Sequence, residues 1–214
     1  EDKKQYEVFE NIVSSVQVED DSSDYTDDKL KRYIELNTEN SDFAGWVKID
    51  GTHINYPVMK SSTPDYYLHR NFNKEYSYYG TPYLSEKSDT MKPTDNIVIY
   101  GHNMRDNTMF GDLSKYKSKE FFEKHRYIHF DTLVDLGKYE IVCVFKTKPS
   151  KFEYQNYTVF DSPDEFNSYI LKCKENEYYN TDVSCGYGDK LITLSTCEYS
   201  QENGRLVVVV KKVK

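Results

Sequence analysis

Apolar residues near the start of the chain recur at the three- and four-residue spacing of an amphipathic helix. Between Lys4 and Gln17 they form one stripe, which predicts a helix over this segment. An acidic, Ser-rich stretch follows. The residues from Asp28 to Asn37 then predict a second, shorter helix with its apolar side chains on one face. The pattern therefore indicates two helices ahead of the rest of the chain.

From Phe43 onward the apolar period shortens to the two-residue alternation of β-strands. Asp50-Gly51, between the first two runs, is a strong signal for a two-residue hairpin turn. Strands that recur with loops between them favour a β-barrel or sandwich, so we expect a mostly β body over residues 41–214. Residues 1–40 are then a helical appendage packed on that body. The predicted strands are Phe43–Ile49, Thr52–Val58, Gly80–Ser85, Asn96–Tyr100, Tyr127–Asp131, Lys138–Lys146, Lys190–Thr196 and Arg205–Val213.

Two further helices interrupt the strands. Ser118–His125 is short, whereas the second helix begins with several agreeing signals. Ser162 can cap its first turn, Pro163 suits the first helical position, and Glu165 stands at the capping-box position. This longer helix turns Cys173 toward the interior, where we expect a packed thiol.

Composition narrows the class of protein. The formal net charge is −8, and the sequence shows no basic cluster of the kind that binds nucleic acid or anionic membranes. No run of 18 apolar residues occurs, so no transmembrane helix is predicted in these 214 residues. The chain starts at Glu1 without an initiator Met, and we expect that a signal or anchor segment was removed upstream.

Four cysteines raise the question of which thiol is reactive. They stand at 143, 173, 185 and 197, with no CxxC pair and no His at metal-ligand spacing. We therefore expect no zinc site, and a chain of this length needs no disulfides. Strict alternation places Cys143 on one strand face with Tyr139, Ile141 and Phe145, which predicts a packed position. Cys197 differs because it ends its strand at a polar loop.

Two more residues at strand ends complete a candidate catalytic group. His102 follows the apolar run 96–100 and Gly101, and a His at this place can act as the proton partner of a thiol. Arg205 opens the strand after the Cys197 loop, so a hairpin would set its guanidinium near the thiol, where it can stabilise an oxyanion. Position alone also allows a different reading of each residue: Cys197 as a packed thiol, His102 as a surface histidine and Arg205 as an ordinary charge at the rim of the β body.

The segments around these residues resemble the active-site signatures of sortases. Thr193-Leu194-Ser195-Thr196-Cys197, followed by Arg205 before a Val run, is similar to the family's nucleophile segment. Tyr100-Gly101-His102-Asn103 is similar to its histidine segment. The paired N-terminal helices and the long capped helix resemble class B members in particular. Three further segments do so as well, namely Asp106–Phe110, Phe122–His125 and Phe130-Asp131.

The resemblance implies an eight-stranded sortase-type β-barrel. It also implies a membrane-anchored enzyme on the extracellular face of a Gram-positive bacterium, held by a single N-terminal segment. Such enzymes cleave a C-terminal sorting signal after its Thr, hold the product as a thioester on Cys, and transfer it to an amine of a peptidoglycan precursor or cross-bridge. Surface proteins that carry the signal are the implied partners, and no metal or organic cofactor is expected.

The same resemblance assigns roles to individual residues. Cys197 is the nucleophile, His102 the proton donor and acceptor, and Arg205 the group that holds the oxyanion. The backbone N–H of Glu198 is the implied second oxyanion donor. Three side chains are implied contacts of the substrate, namely Ser195, Leu68 and Glu198.

Two departures from the family pattern and two alternative functions stay open. Pro64-Asp65 stands where some class B members carry an Asn in the groove, so the signal peptide could differ from the familiar class B motif. No Asp or Glu is identifiable as an orienting partner of His102. A cysteine hydrolase that releases the cleaved peptide to water would use the same Cys197 and His102. A non-catalytic, wall-associated β module would instead use its many tyrosines for binding.

Overall fold

Within residues 25–213, eight β-strands close into a barrel, as the resemblance implies. The computed structural model describes residues 7, 10–14 and 25–213, with residues 25–27 described by their backbone alone. The strands are β1 (Phe43–Lys48), β2 (Asn55–Met59), β3 (Tyr83–Leu84), β4 (Asn96–Tyr100), β5 (Tyr127–Asp131), β6 (Leu136–Thr147), β7 (Leu191–Glu198) and β8 (Gly204–Lys212). Around the barrel they follow the order β1-β2-β3-β4-β7-β8-β6-β5. Two neighbouring pairs are parallel, β2–β3 and β4–β7, and the other six are antiparallel.

The helices lie outside the barrel and between its strands. None of those in the described ranges combines the length and hydropathy needed to cross a membrane. The α-helices of residues 25–213 are α1 (Tyr25–Glu39), α2 (Lys119–Lys124) and α3 (Pro163–Glu175). Short 3₁₀ helices cover Tyr66–His69, Gly111–Lys117 and Tyr154–Asn156.

Helix α1 packs against strand β1. Tyr33 is fully buried, stacks on Trp46 with 6.3 Å between ring centroids, and donates its hydroxyl to Asp131 Oδ2 at 2.8 Å. The second predicted helix is therefore confirmed, and it is longer than predicted at both ends. Of the first predicted helix, residues 7 and 10–14 are helical and the remainder lies outside the described residues. The domain division at residue 40 stays a prediction.

Side-chain alternation on the central strands sorts the core into two layers. Alternate apolar residues of β4, β7 and β8 fill the barrel interior. The residues between them, such as Leu191 and Val207, face outward and pack beneath α3. Cys197 and Arg205 stand an even number of positions from these two residues, so the same alternation turns both of them outward. The alternation thereby decides which face of the barrel carries the candidate site.

A β-bulge in β6 overturns one predicted pattern. The register shifts between Ile141 and Cys143, so the strand carries an extra residue relative to its partner β8. Tyr139 and Ile141 face the barrel interior, whereas Cys143 and Phe145 belong to the outer layer beneath α3. The prediction that these four share one face is therefore wrong. The packed positions of Cys143 and Cys173 are confirmed, since both are fully buried free thiols.

The connection between β1 and β2 is wider than the predicted two-residue turn. Ile49 and Ile54 are both buried, and the Ile49 N–H donates to the Ile54 carbonyl at 2.9 Å, so these two residues close the loop. Gly51 still turns the chain with a φ of 76°, and an added Cβ would lie 2.6 Å from a histidine ring. His53 was predicted within a hairpin strand. It lies in this loop instead, where its N–H donates to Asp112 Oδ2 at 2.8 Å.

Helix α3 begins where the sequence predicts. Ser162 Oγ accepts the Glu165 N–H at 3.2 Å, and Pro163 occupies the first helical position. The Glu165 carboxylate accepts the N–H of Asp161 at 2.9 Å, one residue before the position that a capping box uses. The apolar face of the helix then covers the outer layer of the core.

Candidate active site

Three neighbouring strands bring the predicted catalytic residues together. Strands β4 and β7 are parallel, with Tyr100 opposite Ser195. His102 and Cys197 each stand two residues further along, so they leave the sheet at the same edge. Strands β7 and β8 form the predicted hairpin, in which Arg205 is directly opposite Cys197. Directly opposed side chains on one face of an antiparallel pair have Cβ atoms about 5 Å apart, within reach of each other.

One cavity joins these side chains. It has a volume of about 250 Å³, and its lining includes Cys197, His102, Arg205, Ser195 and Leu68. We refer to it as the Cys197 cavity. Cys197, His102 and Arg205 are each partly exposed, so a peptide that enters the cavity can meet all three. The structure therefore places five of the six predicted site residues around a single space.

A backbone carbonyl orients His102, in the place of the carboxylate that the sequence did not identify. His102 Nε2 lies 2.8 Å from the Leu68 oxygen. Because a carbonyl oxygen only accepts, Nε2 carries the proton, and in the neutral ring Nδ1 is left as the basic atom. Burial lowers the pKa of His102; the Leu68 bond opposes this shift, and nearby His69 adds to it. The site thus favours a neutral imidazole with its basic nitrogen defined.

The loop that carries His102 is tied to β7. The Gly101 N–H donates to the Ser195 carbonyl at 3.2 Å, and Thr196 Oγ1 donates to the Gly101 carbonyl at 2.7 Å. A Cβ at Gly101 would lie 2.6 Å from Cγ of Phe110, a fully buried ring. Gly101 is therefore required for close packing at the point where the chain turns toward His102.

Asn103 links the histidine loop directly to the nucleophile strand. Its side-chain amide donates to the Cys197 carbonyl at 2.8 Å and to Ser114 Oγ at 3.1 Å. Tyr199, beyond the end of β7, donates its hydroxyl to the Asn103 carbonyl at 3.0 Å. Sequence reasoning assigned Asn103 no role, although it is the polar residue immediately after His102. It is a positioning residue, since it does not line the Cys197 cavity.

The guanidinium of Arg205 is available to a ligand. It donates to its neighbouring Gly204 carbonyl at 2.9 Å, and it forms no ion pair with any carboxylate in residues 25–213. Burial raises the pKa values of Tyr83, Tyr100 and Tyr154, and the positive charge of Arg205 opposes that rise in each of them. A cation that is not neutralised by the protein is suited to stabilise a developing oxyanion.

Ser195 and Glu198 differ in how well they fit the predicted substrate contacts. Ser195 Oγ lies 2.6 Å from the hydroxyl of Tyr154, a buried residue of the cavity wall that sequence reasoning missed. The Glu198 side chain does not line the cavity, because alternation turns it to the face opposite Cys197. It is buried there and bonds Lys117 Nζ at 2.6 Å and Ser200 Oγ at 2.6 Å. The predicted contact between the Glu198 side chain and substrate is therefore not supported.

A second cavity of about 250 Å³ continues the groove away from Cys197. We refer to it as the Asp65 cavity. It shares Asp65, Tyr83, Tyr100 and Gln155 with the Cys197 cavity, so the two form one path. Asp65 has the left-handed φ of 53° that Asp and Asn tolerate, and its Oδ1 accepts the Tyr83 hydroxyl at 2.7 Å. Tyrosines thus line the groove that the two cavities form.

Comparison with known proteins gives a consistent result. A model of the Sortase domain family matches residues 47–213. The chain is 31% identical over 216 residues to Sortase B of Staphylococcus aureus, covering 100% of this chain and 87% of that protein. A solved Staphylococcus aureus sortase B–substrate complex has a TM-score of 0.89 and 30% identity, covering 100% of this chain and 98% of that one. A structure of sortase B complexed with triglycine has a TM-score of 0.88 and 29% identity, with coverages of 100% and 99%.

This likeness extends along the whole chain, and the structure joins a thiol, an imidazole and a guanidinium at adjacent strand ends around one cavity. The barrel, the family match and the two sortase B structures all point to the same family. The chain therefore belongs to the sortase family of cysteine transpeptidases and, within it, to class B.

Proposed function

We propose that Cys197, His102 and Arg205 carry out the sortase reaction in this protein. The observation that supports the proposal is their position at the ends of three neighbouring strands, around one cavity that continues into a peptide-sized groove. The substrate is a C-terminal sorting signal on a surface protein, cleaved after Thr. The product is that protein linked through the Thr carbonyl to an amine of peptidoglycan.

In the first step the Cys197 thiolate attacks the Thr carbonyl carbon, and the oxygen becomes an oxyanion held by the Arg205 guanidinium. The C–N bond then breaks as His102 gives a proton to the departing nitrogen, which leaves a thioester on Cys197. In the second step an amine attacks the thioester, His102 accepts the amine proton, and the thiolate departs. Nδ1 is the atom of His102 that exchanges the proton, because Nε2 is bonded to Leu68.

The protonation states set the rate at which this chemistry runs. Leaving-group protonation needs the imidazolium form, and burial, which lowers the pKa of His102, disfavours that form. The imidazolium is then the minor form of His102 in the resting enzyme at neutral pH. A slow enzyme with a bell-shaped dependence of kcat/KM on pH follows from this arrangement.

The partners follow from the chemistry of the two steps. The acyl donor is a surface protein that carries a sorting signal, and the acceptor is a primary amine of a peptidoglycan precursor or cross-bridge. The triglycine complex of a sortase B relative offers a ligand with such an amine. The relatives indicate an enzyme of the Gram-positive cell envelope. We further propose that an N-terminal anchor holds it on the outer face of the membrane.

Thioester formation on Cys197 is the decisive test. After incubation with a peptide library that carries Thr at the cleaved bond, intact-mass spectrometry should detect an acyl adduct on the wild-type protein. The adduct should be absent in Cys197→Ala. The buried thiols supply matched controls, because Cys143→Ala and Cys173→Ala should still form it. Turnover by Cys197→Ala at the wild-type rate would show that the nucleophile lies elsewhere.

The fate of the thioester separates transpeptidase from hydrolase. Cleavage in the presence of triglycine should give an amide-linked product whose yield rises with triglycine concentration, whereas a hydrolase would give only the free acid at every concentration. Because both enzymes would use Cys197 and His102, this product analysis distinguishes them without a further variant.

A further inference from the structure

Side chains of opposite charge lie at different places along the groove. Arg205 stands beside Cys197 at one end, and Asp65 lines both cavities further along. Tyr100 lies between them: burial raises its pKa first of all, the charge of Asp65 raises it further, and the charge of Arg205 lowers it. A peptide bound along this path therefore meets a cation at the reacting bond and a carboxylate beyond it.

The Asp65 end of the groove offers mainly hydrogen-bond acceptors. Asp65 is exposed and has no ion-pair partner within residues 25–213, where its carboxylate accepts a hydrogen bond from the Tyr83 hydroxyl. Glu86 adds a second carboxylate to the lining of the Asp65 cavity. The buried Oε1 of Gln155, which lines both cavities, has no hydrogen-bond partner among the described residues.

The one lysine in this lining is already engaged. Lys87 Nζ donates to Asn156 Oδ1 at 2.8 Å. Lys60, which stands nearby outside the lining, donates to the carbonyls of Ser85 and Glu86 at 2.7 Å each. Because the Lys60 ammonium lies close to Glu86, Asp65 is the carboxylate of this cavity that no lysine of the described residues bonds.

The separation of Asp65 from Leu68 places the Asp65 cavity a few peptide residues from the cleaved bond. Leu68, whose carbonyl contacts His102, follows Asp65 by three residues in a 3₁₀ helix. Three residues of that helix rise about 6 Å, which matches roughly two residues of an extended peptide at about 3.3 Å each. A transpeptidase must retain the acyl part of its substrate after the leaving group departs, so we assign the groove to the side N-terminal to the cleaved bond.

We propose that Asp65 is a specificity-determining residue that selects a cationic side chain, Lys or Arg, two to four residues before the cleaved Thr. This inference rests on the proposed function and adds to it the chemical class of the signal. The ammonium or guanidinium lies against the exposed Asp65 carboxylate, whereas an acidic side chain at the same place meets a like charge.

Peptides that differ at one position test the proposal. Thr-containing peptides carry Lys, Gln or Glu in turn at the second, third and fourth positions before Thr, and the kcat/KM for thioester formation is measured for each. At one of these positions Lys should exceed Glu by about tenfold or more, as expected for one partly solvated charge contact. The same three side chains placed at the seventh position before Thr, outside this window, should show no such order. This comparison separates selection at one position from the general attraction of a chain with net charge −8 for cationic peptides.

A matched pair of variants assigns the effect to Asp65. Asp65→Asn keeps a residue that tolerates φ of 53° and can still accept from Tyr83, and it should lower the Lys-to-Glu ratio several-fold while the Gln peptide changes little. Glu123→Gln removes one charge from an exposed residue of α2 and should leave the ratio unchanged. Anisotropy of labelled peptides with Cys197→Ala should give the same order in Kd, independently of turnover.

The outcomes are distinguishable. Equal kcat/KM for Lys, Gln and Glu peptides at all three positions, with normal thioester formation, would overturn the charge selection and leave the transpeptidase assignment standing. An unchanged ratio in Asp65→Asn would also overturn it. Absence of any thioester with the whole library, together with no charge order in the binding measurement, would overturn both proposals.

Discussion

Asn103 offers the sharpest test of how the fold positions His102 against Cys197. In Asn103→Asp the shape is kept, but the amide that donates to the Cys197 carbonyl at 2.8 Å and to Ser114 Oγ at 3.1 Å becomes an acceptor. Two hydrogen bonds are lost, worth about 1 kcal/mol each, and a carboxylate oxygen then faces a carbonyl oxygen. We expect a loss of about 2–3 kcal/mol in the free energy of unfolding, which lowers Tm by roughly 4–12 °C in a protein of this size.

The catalytic effect should exceed what this loss of stability explains. A displacement of about 1 Å between reacting groups can lower a rate about 100-fold, so kcat for thioester formation should fall by roughly that factor. KM should change little, because Asn103 does not line the Cys197 cavity. Single-turnover mass spectrometry at 25 °C gives kcat, and circular dichroism gives Tm. Ser114→Ala removes one partner and keeps the bond to the Cys197 carbonyl, so it should retain nearly wild-type kcat. A lowered Tm with unchanged kcat would refute the positioning role.

Three further predictions concern the pKa of His102, the packing at Gly101 and the ion pair of Glu198. Burial is the main cause of the lowered pKa of His102 and nearby His69 adds to it, so His69→Gln should raise that pKa in an NMR titration. Gly101→Ala forces a Cβ to 2.6 Å from a buried ring, so it should cost about 1–3 kcal/mol of stability, measured by urea unfolding. Burial raises the pKa of Glu198, but Lys117 and Ser200 outweigh it and hold that pKa below its ordinary value. The resulting stability is present above the unfolded pKa of about 4.3 and is lost as pH falls through the folded value. Glu198→Gln should therefore flatten the acid-side decline of Tm.

Sequence patterns predicted the local parts of this fold well and the long-range pairing less well. The start of α3 was correct because Ser162 and Pro163 act within one turn of the chain. The pairing of Cys197 with Arg205 followed from a hairpin between successive strands. The parallel pairing of β4 with β7 joins segments about 90 residues apart, and no local pattern indicates it. Only the resemblance to sortases placed His102 beside Cys197 before the structure did.

The errors arose where burial overrode a local signal. Asp50-Gly51 favours a two-residue turn, yet the buried pair Ile49 and Ile54 widens the loop, because hiding two large apolar side chains outweighs the preferred turn. The bulge in β6 was equally hidden, since apolar residues such as Ile141 and Cys143 suit either face of a strand buried on both sides. Alternation turns the Glu198 side chain away from Cys197, and its contact with substrate stays a prediction.

The tyrosines of the groove explain why its charged ends can select a substrate. Burial raises the pKa values of Tyr83, Tyr100 and Tyr154, so their hydroxyls stay protonated throughout the working range. Tyr83 is bonded to Asp65 and Tyr154 to Ser195, which fixes both rings and the groups they touch. A groove with such a wall is preformed, and it offers a flat apolar surface that discriminates little among extended peptides. Discrimination is therefore left to the groups at its two ends, where we propose that Arg205 binds the reacting carbonyl and that the carboxylate of Asp65 faces the residues that precede it.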